Sequence, residues 1–361
     1  MKAGDYIKLQ EKYGAHNYHP LPVVVSKARG VWVWDVEGKK YIDMLSSYSA
    51  INQGHMHPRI VKAATDQMKR VTLTSRAFSN DRMGPFLKKL CQVSGMEMAL
   101  PMNTGAEAVE TSIKLARRYA YQKMGVPENQ GEIIVCEQNF HGRTTTIISF
   151  SSDPDSKKGF GPYTSGFKMI PYNDIPALTK AINSKTIGIL VEPIQGEAGI
   201  NVPSPGYLKE LRKVCSEKGI LLILDEIQTG FCRTGKMFCF QHEGIKPDIL
   251  IVGKALGGGL YPVSAALSSR KIMSVFNPGS HGSTFGGNPL AAAIAEESLN
   301  VLIDEKLALR STEMGSYFVK RLKGLETEKI KEIRSKGLLI GVEFRLKPGE
   351  TVRPICEKLM Q

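Results

Sequence analysis

The chain has 361 residues, 42% of them hydrophobic and 23% charged, with a formal charge of +13. That size suits one large domain with a smaller companion, and no apolar stretch approaches the ~20 residues of a membrane span. The excess of lysine and arginine is interleaved with acids, as in Lys320–Glu332, which is the pattern of a solvated helix face and argues against nucleic acid as a partner. In chain order, the opening Met1–Gln10 carries an early acid and no apolar core, so it does not read as a secretory signal. Val31–Asp35 and Lys40–Met44 flank Glu37-Gly38 as a hairpin, and His57-Pro58 starts a helix through Lys69. From about residue 96 strands and helices alternate. The expected strands are Met98–Met102, Glu132–Cys136, Lys168–Pro171, Ile187–Val191, Ile220–Leu224, Ile249–Val252 and Pro262–Leu267. The expected helices are Ala106–Lys123, Pro176–Ile182, Tyr207–Lys218 and Pro289–Ile303. Alternation at this spacing predicts an α/β fold, a mostly parallel sheet flanked by helices on both faces. Leu307–Leu325 reads as a charged helix, Ile333–Phe344 as strands, and Pro354–Gln361 as a helix with no stop signal, so the chain is expected to end inside its small domain. The six cysteines lie far apart without a Cys-x-x-Cys and read as reduced thiols, consistent with a cytoplasmic setting, although organelle and cytosol are not separated by these residues.

Two apolar strands end in opposite charges. Ile220–Leu224 runs into Asp225-Glu-Ile-Gln-Thr-Gly230, and Ile249–Val252 runs through Gly253 into Lys254 and three glycines, Gly257 to Gly259. In an open α/β sheet, ligands collect at the strand carboxyl ends. A lysine there can bond a carbonyl cofactor as a Schiff base, and an aspartate can hold a protonated pyridine nitrogen. That pairing is the core of a pyridoxal-phosphate site. Asn103-Thr-Gly-Ala-Glu-Ala108 joins a strand to a helix that Thr104 can cap, and the backbone N–H groups of Gly105 and Ala106 either serve as an ordinary helix start or face a phosphate. Phe140-His-Gly-Arg143 offers either core packing and a surface ion pair, or a ring stacker and a carboxylate fork. Glu192-Pro-Ile-Gln-Gly-Glu197 places two carboxylates at a strand end, as a charged loop or as a pocket wall. Ser283 and Thr284, in the turn-rich loop His281–Pro289, can donate to phosphate oxygens. His55 and His57 have no third ligand at a recognised spacing, so no metal is expected. No Gly-x-Ser-x-Gly, Walker A or Gly-x-Gly-x-x-Gly motif occurs.

Six of these segments in order resemble the class III pyridoxal-phosphate-dependent aminotransferases of fold type I: Asn103–Ala108, Asn139–Thr144, Glu192–Gly199, Asp225–Gly230, Gly253–Gly259 and His281–Pro289. Gly14–Pro22 and Leu45–His55 are most similar to the branch that acts on L-ornithine and 2-oxoglutarate. Acetylornithine and 4-aminobutyrate transaminases share the cofactor segments, and a non-catalytic scaffold of the same fold is the rival from another class. The resemblance implies that residues 1–48 belong to a small domain completed by residues 305–361, around a large cofactor-binding domain at 49–304. It implies that Lys254 bonds pyridoxal 5'-phosphate, that Asp225 pairs with the ring nitrogen, and that Phe140 stacks on the ring with Gln228 at its hydroxyl side. Thr104, Gly105, Ala106 and His141 complete the cofactor's surroundings. Tyr18 and Arg143 would hold the α-end of ornithine, with Tyr48, Glu192 and Glu197 lining the rest. Ser283 and Thr284 would reach the cofactor of a neighbouring subunit, making a homodimer with composite sites. A further arginine of the family's C-terminal segment has no counterpart before Gln361.

Overall fold

The structure, a computed structural model, describes residues 1–360; Gln361, the last residue of the expected small domain, lies outside the described residues. Its centre is a seven-stranded sheet. The strands are β4 (Met98–Met102), β5 (Glu132–Cys136), β6 (Phe167–Ile170), β7 (Thr186–Val191), β8 (Leu221–Asp225), β9 (Ile249–Val252) and β10 (Ser264–Ser268), in the order β4-β10-β9-β8-β7-β5-β6. β10 runs antiparallel to both its neighbours, β4 and β9, and all the other pairs are parallel. Hence every strand but β10 points its carboxyl end to the same edge.

The sequence dictates why this sheet is central. In β7, β8 and β9 every residue is buried, the sign of a sheet covered on both faces. Successive side chains point to opposite faces, so Leu222 and Leu224 enter one core while Leu221 and Ile223 enter the other. The helices Tyr207–Lys218 and Pro289–Asp304 cover the first face; Gly105–Lys123 covers the second. The expected strand at Pro262 begins instead at Ser264, because proline has no N–H for the ladder.

The N-terminal hairpin is found as β2 (Trp32–Asp35) and β3 (Lys40–Ile42), with a third strand, β1 (Val25–Arg29), that the sequence pattern does not announce. β1 is largely exposed, so its side chains carry no inward alternation. The helices Ala3–Tyr13 and Met83–Ser94 also lie outside the expected elements; the first buries no residue at all. After the helix Leu307–Lys323, β11 (Ile330–Lys336) and β12 (Leu339–Phe344) form an antiparallel hairpin. The final helix, Arg353–Leu359, meets the beginning of the chain: Arg353 donates to the carbonyls of His19 (3.0 Å) and Pro20 (3.2 Å).

Candidate active site

Each polar group of the site follows the carboxyl end of a strand that points to the common edge. After β4, Thr104 caps the 19-residue helix Gly105–Lys123: its Oγ1 accepts from Glu107 N (3.2 Å), and Glu107 Oε2 accepts from Thr104 N (2.6 Å). This reciprocal cap leaves the N–H groups of Gly105 and Ala106 at the mouth of a cleft. A Cβ at Gly105 would lie 3.0 Å from Ile227 Cδ1, so glycine lets the helix start approach the loop after β8. The cleft has a volume of about 210 Å³ and is also lined by Phe140, His141, Glu192, Glu197, Asp225, Ile227, Gln228 and Lys254.

Asp225 closes β8 and is buried. Its Oδ1 accepts from Ile227 N (3.0 Å), and its Oδ2 lies 2.7 Å from His141 Nδ1. Burial opposes a charge on His141, but the bond to Asp225 and the fields of Asp225 and Glu192 outweigh it and hold the imidazole above its usual value. Its other nitrogen, Nε2, is buried without a partner. Glu192, after β7, is pushed up to about 7 chiefly by burial; its Oε2 accepts from Phe140 N (3.0 Å), which fixes the loop carrying the aromatic. Gln228 Nε2 donates to Glu197 Oε1 (3.0 Å).

Lys254 follows β9 and takes a left-handed φ of 45°, an unusual backbone for a residue with a side chain. Burial lowers its pKa, against the pull of Glu197, Asp225 and Glu192. Among the described residues its Nζ forms no ion pair, so the amine stands unpaired in the cleft.

Nine of the residues singled out in the sequence thus line one cleft: Gly105, Ala106, Phe140, His141, Glu192, Glu197, Asp225, Gln228 and Lys254. Thr104 spends its hydroxyl on the helix cap. Arg143 lies outside the lining, exposed, with its guanidinium 5.8 Å from the Phe140 ring centroid. Tyr18 is 76% exposed and Tyr48 is 50% exposed; Tyr48 reaches the site through its carbonyl, 3.5 Å from Gln228 Nε2. Ser283 is turned to Asn103, whose Nδ2 donates to its Oγ (3.1 Å), and neither it nor Thr284 lines the cleft. Gly142, Ile194, Ile227 and Thr229 line it without having been singled out. Ile227 lies inside the motif Asp225–Gly230, yet an aliphatic residue gives no sequence signal of facing a ring.

The donor set fits pyridoxal 5'-phosphate. A helix start could offer N–H groups to a phosphate, Phe140 and Ile227 could offer apolar surfaces to a flat ring, and the buried Asp225 carboxylate could pair with a ring nitrogen. An unpaired amine is available to a carbonyl.

The sequence matches the family Aminotransferase class-III over residues 13–361. It is 59% identical to the ornithine aminotransferase of Brevibacillus brevis, over all of this chain and 89% of that protein. Among solved structures, it is similar to the ornithine aminotransferase from Toxoplasma gondii, with a TM-score of 0.94 and 46% identity over 95% of this chain and 82% of that one. It is also similar to the acetylornithine aminotransferase from Elizabethkingia anophelis, with a TM-score of 0.88 and 48% identity over 97% of this chain and 86% of that one.

Proposed function

The chain belongs to the class-III aminotransferases, and from that premise we propose that it is a pyridoxal-phosphate-dependent ornithine transaminase. It moves the δ-amino group of L-ornithine to 2-oxoglutarate, giving glutamate-5-semialdehyde and glutamate. The semialdehyde then cyclises without the enzyme to pyrroline-5-carboxylate. The observation that carries the chemistry is one cleft that holds both the unpaired amine of Lys254 and the buried carboxylate of Asp225. The 59% identity to an ornithine aminotransferase carries the substrate.

When bound, the cofactor supplies a carbonyl that takes up amines and a protonated ring that accepts the electron pair released at the substrate carbon. Asp225 would keep the ring nitrogen protonated, and His141 holds Asp225. The N–H groups of Gly105 and Ala106, beside Thr104, would take the phosphate. Phe140 and Ile227 would offer apolar surfaces to the ring, and Gln228 would lie toward its hydroxyl. Lys254 Nζ would take the proton released at the substrate's δ-carbon and deliver it on the cofactor side of the amine nitrogen, and burial, which lowers its pKa, favours the neutral amine that task needs. Arg143 and Tyr18 fix the α-carboxylate and α-amino group, so that only the δ-amine reaches the reacting carbon. Tyr48, Glu192 and Glu197 line the remaining wall.

Ser283 and Thr284 lie outside the cleft of their own chain, which supports a role toward the cofactor of a second copy and hence a homodimer. Such a reaction fits arginine degradation and proline biosynthesis in the cytoplasm; among the described residues no helix is long and apolar enough to cross a membrane. The likeness to an acetylornithine aminotransferase keeps that substrate as the second reading. A panel of ornithine, acetylornithine and 4-aminobutyrate, each with 2-oxoglutarate, tests the assignment. Formation of pyrroline-5-carboxylate from ornithine, with lower kcat/KM for the others, is the expected result; preference for acetylornithine overturns it.

A further inference from the structure

Two stretches near the cleft hold ordinary residues in the left-handed region. Ser46, Ser47, Tyr48 and Ser49 have φ of 52°, 44°, 57° and 73°, four in succession; Phe231 and Cys232 have φ of 54° and 72°. A side chain in this conformation crowds its own carbonyl, and only glycine enters it freely. Such a run persists only where its surroundings hold it.

One side chain ties the two stretches together. Arg233 Nε donates to Asn52 Oδ1 (3.0 Å), and its Nη2 donates to Ser46 Oγ (2.9 Å). Asn52 in turn donates from Nδ2 to the carbonyl of Phe231 (2.7 Å). Arg233 is also bound to the C-terminal hairpin by a reciprocal pair: its Nη1 donates to Leu338 O (3.3 Å), and Leu338 N donates to Arg233 O (3.0 Å). Ser311 Oγ donates to the same carbonyl (2.7 Å). These partners are all neutral oxygens, so the guanidinium is spent on geometry rather than on charge pairing; burial draws its pKa to about 10 against the pull of Asp43. The far end of the turn meets the cleft, where Tyr48 O lies 3.5 Å from Gln228 Nε2.

We propose that Arg233 is a positioning residue for the amine-substrate side of the cleft: it holds the turn Ser46–Ser49 left-handed and so sets Tyr48 and Gln228. The proposal rests on the reading of Tyr48 as part of the substrate wall. Arginine alone reaches three segments at once; lysine has one nitrogen and cannot hold Asn52, Ser46 and Leu338 together.

The test compares wild type, Arg233→Lys and Arg233→Lys with Ser47→Gly, and uses Asn52→Ala as a second break in the same link. Hydrogen exchange of the peptide spanning Ser46–Ile51 in the cofactor-free protein reports the turn without reference to any substrate. Exchange there rises in Arg233→Lys and in Asn52→Ala. In the holoenzyme, KM for the amine substrate rises about tenfold or more while KM for 2-oxoglutarate changes less. Glycine at position 47 restores part of that loss, because it adopts the left-handed form at no steric cost. Unchanged exchange at Ser46–Ile51, an unchanged amine KM, or no recovery with glycine overturns the proposal. Absence of ornithine turnover in the wild type would instead refute the substrate assignment, and the exchange result would stand separately from it.

Discussion

His141 Nδ1 and Asp225 Oδ2 lie 2.7 Å apart with both side chains buried, so the aspartate at the end of β8 answers to an imidazole rather than to water. That contact orients the carboxylate beside the cleft. Replacing Asp225 by alanine removes the group proposed to face the cofactor's ring nitrogen. The expected loss in kcat/KM corresponds to about 3 kcal/mol, roughly two orders of magnitude. Steady-state kinetics at saturating cofactor measure it; a near-normal rate would sink the proposed ring contact.

The same pair gives a pH dependence with a definite sign. His141 is held above its ordinary value of 6.5 in the folded chain. Its contribution to folding is therefore complete below pH 6.5 and fades as the pH climbs through the raised value. Urea midpoints of the cofactor-free wild type and His141→Asn should differ most below pH 6.5 and converge as the pH rises through the raised value. A gap that widened with pH would contradict the assignment of charge to this histidine.

Lys254 is the one amine among the cleft-lining residues. Borohydride reduction of the holoenzyme should attach the cofactor to the tryptic peptide that contains Lys254, as read by mass spectrometry. Lys254→Ala should show no such attachment and no transamination. A labelled peptide elsewhere would move the reacting amine.

Glu226, next to Asp225, has a separate task. It is fully buried, pushed up to about 7 by burial, and accepts from Thr229 Oγ1 (2.7 Å), Cys239 N (2.8 Å) and Phe240 N (2.7 Å). It thus anchors the loop after β8 to the turn Cys239–His242. Glu226→Ala strands two buried N–H groups and should cost about 3 kcal/mol of stability. Chemical denaturation measures this, and an unchanged midpoint would mean that water replaces the carboxylate there.

Tyr18 and Arg143 test the regiochemistry. Tyr18→Phe should impair ornithine more than 4-aminobutyrate, since the latter has no α-amino group to be held. Equal loss with both substrates would count against an anchor at the α-end.

The amino-acid order alone settled what depends on near neighbours. β5 and β9 stand at the residues expected, because a short buried strand is legible in its own apolar run, and Lys254 and Asp225 are readable as charges closing two such runs. The capping box of Thr104 and Glu107 is likewise a local pattern. Contacts between distant parts of the chain were left to the tertiary structure. His141 meets Asp225 across 84 positions, and Arg233 meets Ser46 across 187, only because the sheet order brings β5, β7 and β8 side by side and folds the N-terminal segment over them. The left-handed run Ser46–Ser49 left no trace in the sequence, since it contains no glycine and is held by partners from elsewhere. Exposed elements such as β1 and the helix Ala3–Tyr13 were missed for a related reason: with no core to face, their side chains carry no periodic mark.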